Sequence, residues 1–541
     1  MALYSGWRWA SLLAGVLALG LSYSPNGAPY ITNDGYQYLD AASNLASGRC
    51  FCTNVALFDE QVAFGHFPIP FTHFAPGYPL LIAAVSRTGV VAETAGYLFS
   101  AFGFLAVLWL IQDIALGLGA RPWAAAAFSL IWITHATALL YASMVGTESL
   151  FTALLLALVA LIVRDVRLSH RAQRTLRPVR PQRTRSSLTA GIGVVAGLSY
   201  WVRYPGLFLV GGAGIYLIVR AWRIPRSRRG AFAGLLAAAA LAGSVQLRNA
   251  VYTGSWRGAF NNNGRQVPRT VIVQTLKAFF HLVTGDRVPA HLDVGMGILL
   301  LSAALTLVLG IRALIVQKSR NNIEPLGWTL FIGFAYIGGV VVAALTTIAD
   351  DLPRYFFPVY PLFLACAAVA CSAIAKGMKS LVVAVLLLAL LAIQARNLFV
   401  RPTQPDWILT RAMMAEEVQP GITLTGWLRN NLAPDGAILA VEGQAVHYVL
   451  QRPVVAVIPA VFSGRITDEQ GFRSEMRQFR SRYLLLFPTS PPDRIPEQYS
   501  YGFLQSLAAG NAPAWLKLAV RTRGAAVYEC ADCFSAQPNR R

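Results

Sequence analysis

A succession of apolar segments, each close to the length that crosses a bilayer, constrains this chain more than any other feature. A helix needs about 20 predominantly apolar residues to span the hydrocarbon core. Segments of this kind fall near residues 6–23, 93–116, 122–142, 148–164, 188–202, 205–221, 230–247, 292–316, 326–349, 356–375 and 381–396. They predict an α-helical polytopic membrane protein of about eleven spans. Only 13% of the residues are charged, against about 25% in a soluble domain. A bilayer explains the deficit, because an Arg, Lys or Asp at a helix centre costs roughly 2.5–3.5 kcal/mol on insertion scales. The N-terminal stretch resembles a signal peptide, but no small-x-small cleavage site follows it. With so many apolar segments behind it, it reads as a retained first helix.

The net charge of +21 invites a nucleic-acid reading, which its placement excludes. The basic residues gather in short runs between spans: Arg164 to Arg185, Arg220 to Arg229, Lys318 with Arg320, and Lys376 with Lys379. All four runs fall on one side of the predicted topology. By the positive-inside rule that side is the cytoplasm, as for a multi-pass protein of the cell inner (plasma) membrane. The opposite side receives a large first loop, 24–92, the loop 248–291 and the C-terminal tail. The expected division is a transmembrane unit over 1–396 and an extracytoplasmic α/β domain over 397–541. In the latter, GAILAVEG, RPVVAVIP and RYLLLFP read as strands, HYVL as a helical turn and AVRTRGAAVYE as a hairpin-like pair. No glycine-rich nucleotide loop and no GxSxG elbow accompanies them. The cysteines form three close pairs, Cys50 with Cys52, Cys366 with Cys371, and Cys530 with Cys533. Without further zinc spacing, oxidised or unpaired thiols are favoured over a metal or redox pair.

Polar residues that invite chemistry lie mostly on the outer side. Asp34 stands near the start of a predicted helix, where a carboxylate has the alternative of capping backbone N–H groups. His66 and His73 flank an apolar turn before Pro76-Gly77-Tyr78-Pro79, with Tyr78 either an interfacial anchor or part of a cavity wall. Glu148 opens a span. Asp351, Arg354 and Tyr355 join two spans, and Arg203-Tyr204 does the same elsewhere. An interfacial Arg also snorkels or pairs with lipid phosphate. Two Arg-Tyr pairs at span ends on one face favour anion binding.

The sequence resembles the glycosyltransferase C superfamily, closest to protein O-mannosyltransferases and aminoarabinose transferases. Asp34-Gly35-Tyr36, Pro76 to Pro79, Thr147-Glu148-Ser149, Arg203-Tyr204 and Leu352-Pro353-Arg354-Tyr355 carry the resemblance, in that order and on one face. It implies a sugar donor on a polyprenyl phosphate, transfer on the outer face with inversion, and Asp34 as the catalytic residue. The family often has two adjacent acidic residues in this loop. Here Gly35 follows Asp34, which leaves the second acidic role and dependence on a divalent metal open. No other cofactor is implied.

The chemistry runs beside the resemblance. A hydroxyl acceptor needs a general base within hydrogen-bond reach, the role expected of Asp34. The leaving phosphate needs cationic donors, expected to be Arg354 with Tyr355 and Arg203 with Tyr204. Glu148, Asp351, His73 and Tyr78 are expected as secondary polar or acceptor-site groups. The expected partners are a polyprenyl-phosphate-linked sugar, membrane lipids and a glycan, lipid or protein acceptor. The competing class is a transporter or flippase of lipid-linked sugar. It calls for polar mid-span residues and inverted repeats, which are not evident.

Overall fold

The computed structural model describes residues 2–22, 30–57, 65–174, 182–258, 268–275, 320–346, 352–374, 406–433, 436–459, 468–492 and 494–533. Six helices among them are long and apolar enough to cross a membrane: Ala92–Gly117, Glu148–His170, Gly206–Arg223, Pro225–Thr253, Ile323–Leu345 and Leu352–Ala373. A seventh results if Pro122–Thr134 and Ala136–Ala142, bent by 69°, form one span. Gly6–Leu21 and Ser186–Val202 are shorter apolar helices. The expected spans at 292–316 and 381–396 lie outside the described residues.

The bend has a local cause. His135 adopts an extended backbone between the two pieces, and its Nδ1 accepts the Ala138 N–H at 3.4 Å, capping the second helix. Close helix contacts rest on small residues. A Cβ at Gly193 would overlap the Gly234 carbonyl, so Gln182–Val202 and Arg228–Thr253 pack backbone to backbone. Elsewhere in the bundle aromatic rings fill the space, with Trp132 and Phe357 centroids 5.1 Å apart.

One expected loop is partly helix. The helix Glu148–Arg174 runs past residue 164 and buries Asp165 completely. Arg220 Nε lies 2.6 Å from Asp165 Oδ2, and the Tyr216 hydroxyl donates to the same oxygen at 2.6 Å. Arg220, read in the sequence as part of a basic loop, is therefore a buried partner joining two helices. An intramembrane carboxylate is stable only when paired in this way.

A six-stranded sheet lies at the C-terminal end of the chain. Its spatial order is Leu516–Arg521, Ala526–Cys530, Tyr483–Leu486, Ile438–Ala440, Val454–Ala456, Val55–Ala56. The first three strands pair antiparallel and the rest parallel. Residues Ile438–Ala440, Val454–Ala456 and Tyr483–Leu486 are all buried, as expected of parallel strands covered on both faces. The sheet draws strands from both sides of residue 397, because its last strand comes from the first loop.

Candidate functional site

Two short strands create the site. Tyr30–Ile31 pairs in parallel with Met144–Val145, with Ile31 opposite Val145. Each strand leads at once into a helix, Asn33–Ala46 and Glu148–Arg174. Asp34 and Glu148, each three residues past a paired position, thus start neighbouring helices side by side. A carboxylate in the first turn is favoured by the helix dipole. The capping itself falls to Thr32, whose hydroxyl accepts the Gly35 N–H at 3.1 Å. Asp34 is consequently free to bond elsewhere.

Its partner is Arg354. Arg354 Nη2 donates to Asp34 Oδ2 at 2.6 Å, and its Nε donates to Glu148 Oε1 at 2.5 Å. Arg203 Nη1 donates to the same Glu148 oxygen at 2.9 Å. Two carboxylates and two guanidiniums thereby form a network with no net charge. Glu148 is 0% exposed, which is tolerable only because both cations reach it. Asp34 Oδ1 carries no hydrogen bond among the described residues and is available to a ligand.

Glycine at position 35 is a steric requirement. A Cβ there would sit 2.6 Å from the Val145 carbonyl oxygen. The adjacent acidic pair that the resemblance leads one to expect has no room here. Glu148, across the strand pair, shares Arg354 with Asp34.

A cavity of about 370 Å³ opens against this network, lined by Asp34, Tyr38, His73, Arg203, Tyr204 and Tyr355. This volume lies in the roughly 300–1,000 Å³ range of small-molecule sites. Apolar residues of two helices, including Leu207, Phe208, Val340 and Val342, complete it on the bundle side. The Arg203 guanidinium lies over the Tyr355 ring at 5.3 Å, and Tyr336 donates to the Tyr355 carbonyl at 2.9 Å. The Tyr204 hydroxyl donates to the Thr72 carbonyl at 2.8 Å and receives Asn249 Nδ2 at 3.1 Å. Burial pushes the His73 pKa down to about 4, with Asp34 opposing, so this ring is a neutral imidazole. Burial holds the Tyr38 phenol well above its usual range, and Asp34 adds to the effect.

Other expected residues fall differently. Tyr78 is fully buried and lines no part of the cavity. Its hydroxyl donates to the Gly96 carbonyl at 2.8 Å and accepts the Gly146 N–H at 3.1 Å, supporting the turn before Glu148. It is not a headgroup anchor. His66 is exposed and outside the cavity. Asp351 lies outside the described residues.

Sequence reasoning passed over Tyr38, Trp256 and Arg257, which also line the cavity. Tyr38 stands four residues after Asp34, a helical spacing that places the two on one face. Arg257 lies over the Trp256 ring at 4.9 Å and has no carboxylate partner among the described residues.

A divalent ion needs several oxygen ligands; Asp34 Oδ2 and Glu148 Oε1 are both held by guanidiniums, which leaves Asp34 Oδ1 and Glu148 Oε2 as the carboxylate oxygens here without a hydrogen bond among the described residues. A second grouping, Cys530, Asp532 and Cys533, is no thiolate set, because its sulfurs are joined in a disulfide. Cys50 and Cys52 form another disulfide, and Cys366 and Cys371 are free and buried.

No protein-family model matches the sequence, and no curated protein matches it. Solved structures do. ArnT from Cupriavidus metallidurans in the apo state is similar over 98% of this chain and 99% of its own, with TM-score 0.56 and 12% identity. The same protein bound to undecaprenyl phosphate gives TM-score 0.54 and 14% identity, over 99% of both chains. The Archaeoglobus fulgidus oligosaccharyltransferase with a tethered acceptor peptide gives TM-score 0.52 and 11% identity, over 89% of this chain and 69% of its own.

Proposed function

From the glycosyltransferase C fold that this chain shares with those structures, we propose that it is a membrane glycosyltransferase. It takes a sugar from a polyprenyl-phosphate donor and passes it, with inversion, to an acceptor hydroxyl. The observation that carries this reading is the bridge Asp34–Arg354–Glu148, set at the wall of a cavity that is polar at one end and apolar at the other. Binding of undecaprenyl phosphate by ArnT supports the choice of donor. The two disulfides support an oxidising compartment, hence an outer site.

In the reaction, Asp34 Oδ1 accepts the proton of the acceptor hydroxyl as its oxygen bonds to the anomeric carbon. The bond from that carbon to the phosphate oxygen breaks, and its electron pair stays on the lipid phosphate. Once Asp34 is protonated its hold on Arg354 weakens, just as the leaving phosphate gains charge. Arg354 then exchanges a carboxylate for a phosphate. Arg203 and Arg257, both at the cavity wall, supply further donors. The lipid chain follows the apolar wall formed by Phe208 and Val340.

The test is reconstitution in liposomes with a panel of radiolabelled undecaprenyl-phosphate sugars and a cell-envelope extract as acceptor source. Label transferred to an acceptor supports the proposal. Label that only crosses the bilayer on its original lipid makes the protein a flippase and overturns it.

A further inference from the structure

The helix Asn33–Ala46, which carries Asp34, is held from the C-terminal part of the chain. Six residues beyond Asp34, about 9 Å along the helix axis, lies Asp40. Its Oδ2 accepts the Asn54 N–H at 2.5 Å and the Thr53 hydroxyl at 2.9 Å. Its Oδ1 accepts the side chains of Asn44 and Asn54, both at 3.2 Å. The remaining contact comes from far along the chain: His447 Nε2 stands 3.3 Å from Asp40 Oδ1.

The chemistry of His447 is decided by its other nitrogen. Nδ1 lies 2.6 Å from the Arg452 carbonyl, which only accepts, so Nδ1 carries a proton. Burial opposes a charge on either group. Their mutual attraction outweighs it, raising the His447 pKa and lowering that of Asp40. Nε2 is then protonated too, and the contact is an imidazolium–carboxylate pair.

Weaker contacts surround it. Tyr448 donates to Glu93 at 2.9 Å, and its ring lies 5.0 Å from that of Tyr36. Ala445 shares an apolar cluster with Tyr36 and Leu39. The Val454 N–H donates to the Asn54 carbonyl at 2.9 Å, tying the first loop to the sheet edge. Apolar contact presses the Asp34 helix and Gly443–Leu450, the helix that carries His447, together without choosing a direction. The ion pair is directional and fixes where along its axis the Asp34 helix stops.

We propose that His447 is a positioning residue for glycosyl transfer: through Asp40 it sets the placement of Asp34, so that the C-terminal part of the chain governs turnover without touching substrate. The inference rests on the reading of Asp34 as the base.

The test compares His447→Leu, His447→Gln, Asp40→Asn and Asp34→Asn in the full-length protein. Transfer from undecaprenyl-phosphate sugars is measured alongside binding of undecaprenyl phosphate itself. Misplacing a reacting group by 1 Å costs about 10²-fold, so His447→Leu and Asp40→Asn are expected to lower kcat by about that factor. KM and probe binding should stay within about threefold. His447→Gln, whose amide nitrogen replaces Nε2 as a donor, should recover most of the turnover. The combined His447→Leu/Asp40→Asn variant should be no worse than either alone. Wild-type kcat in His447→Leu overturns the inference. So does loss of probe binding in parallel with kcat, which marks a structural role. If His447→Leu does not fold, Asp40→Asn decides by the same criteria. Asp34→Asn separates the two readings: full transfer there removes the base, while its loss beside an active His447→Leu removes only the present inference.

Discussion

Gly35→Ala isolates the geometry of the site from its charges. The added methyl would stand 2.6 Å from the Val145 carbonyl oxygen and 3.1 Å from Ile31 Cγ2. Ordinary contact begins at 3.4 Å, so the backbone must part by about 0.8 Å (3.4 less 2.6). The atoms in the way belong to the strand pair that aligns Asp34 with Glu148, and neither is the loose end of a flexible side chain. Overpacking of this kind costs about 1–3 kcal/mol of stability. A shift approaching 1 Å at a reacting group costs about 10²-fold in rate. We expect Gly35→Ala to lower kcat by between about 10- and 10²-fold, with a modest fall in the unfolding temperature. The assay is transfer of labelled sugar in detergent, paired with thermal unfolding. Gly20→Ala is the control, because nothing lies within 4 Å of its added methyl. Wild-type turnover in Gly35→Ala would refute the argument that the strand pair sets the distance between the carboxylates.

Three further outcomes are expected of the same fold. Glu148→Gln removes the buried carboxylate that Arg203 and Arg354 share, so it should destabilise the protein by about 3–5 kcal/mol; an unchanged unfolding temperature would contradict the network. His73 is neutral when folded, its pKa pushed down by burial to about 4. The unfolded chain binds a proton near pH 6.5 that the folded one refuses until about 4, so stability should fall as pH drops through that window, by on the order of 3 kcal/mol. His73→Gln should flatten the slope, and an identical slope in wild type and variant would exclude burial as its cause. Alkylation of the denatured, unreduced protein should label Cys366 and Cys371 alone, as read by peptide mass. Labelling at Cys530 or Cys533 would remove that disulfide from the account.

The apolar segments were legible because their pattern is local. Expected boundaries near 93–116 and 205–221 lie within two residues of helices Ala92–Gly117 and Gly206–Arg223, while the segment expected near 230–247 runs six residues further, as Arg228–Thr253. The helix beyond residue 164 was hidden, because Asp165 looks like a loop residue until Arg220 and Tyr216 arrive from another helix. Asp34, Arg203 and Arg354 were singled out from motif order, and the structure gathers them with Glu148. That the arginines grip these carboxylates was invisible, since it depends on a parallel pair only two residues long. Such a ladder has no sequence signature. Asp40 and His447 are separated by most of the chain, and no periodicity joins them.

The central claim is that Asp34 removes the proton of the acceptor hydroxyl. Asp34→Asn keeps the size of the side chain and an oxygen for Arg354 while removing the base. The direct measurement is single-turnover transfer from a labelled undecaprenyl-phosphate sugar by this variant, with binding of undecaprenyl phosphate recorded on the same preparation. The account predicts retained binding with kcat lowered by about 10²- to 10⁴-fold, the usual range for general-base catalysis. Wild-type turnover with binding intact would contradict it.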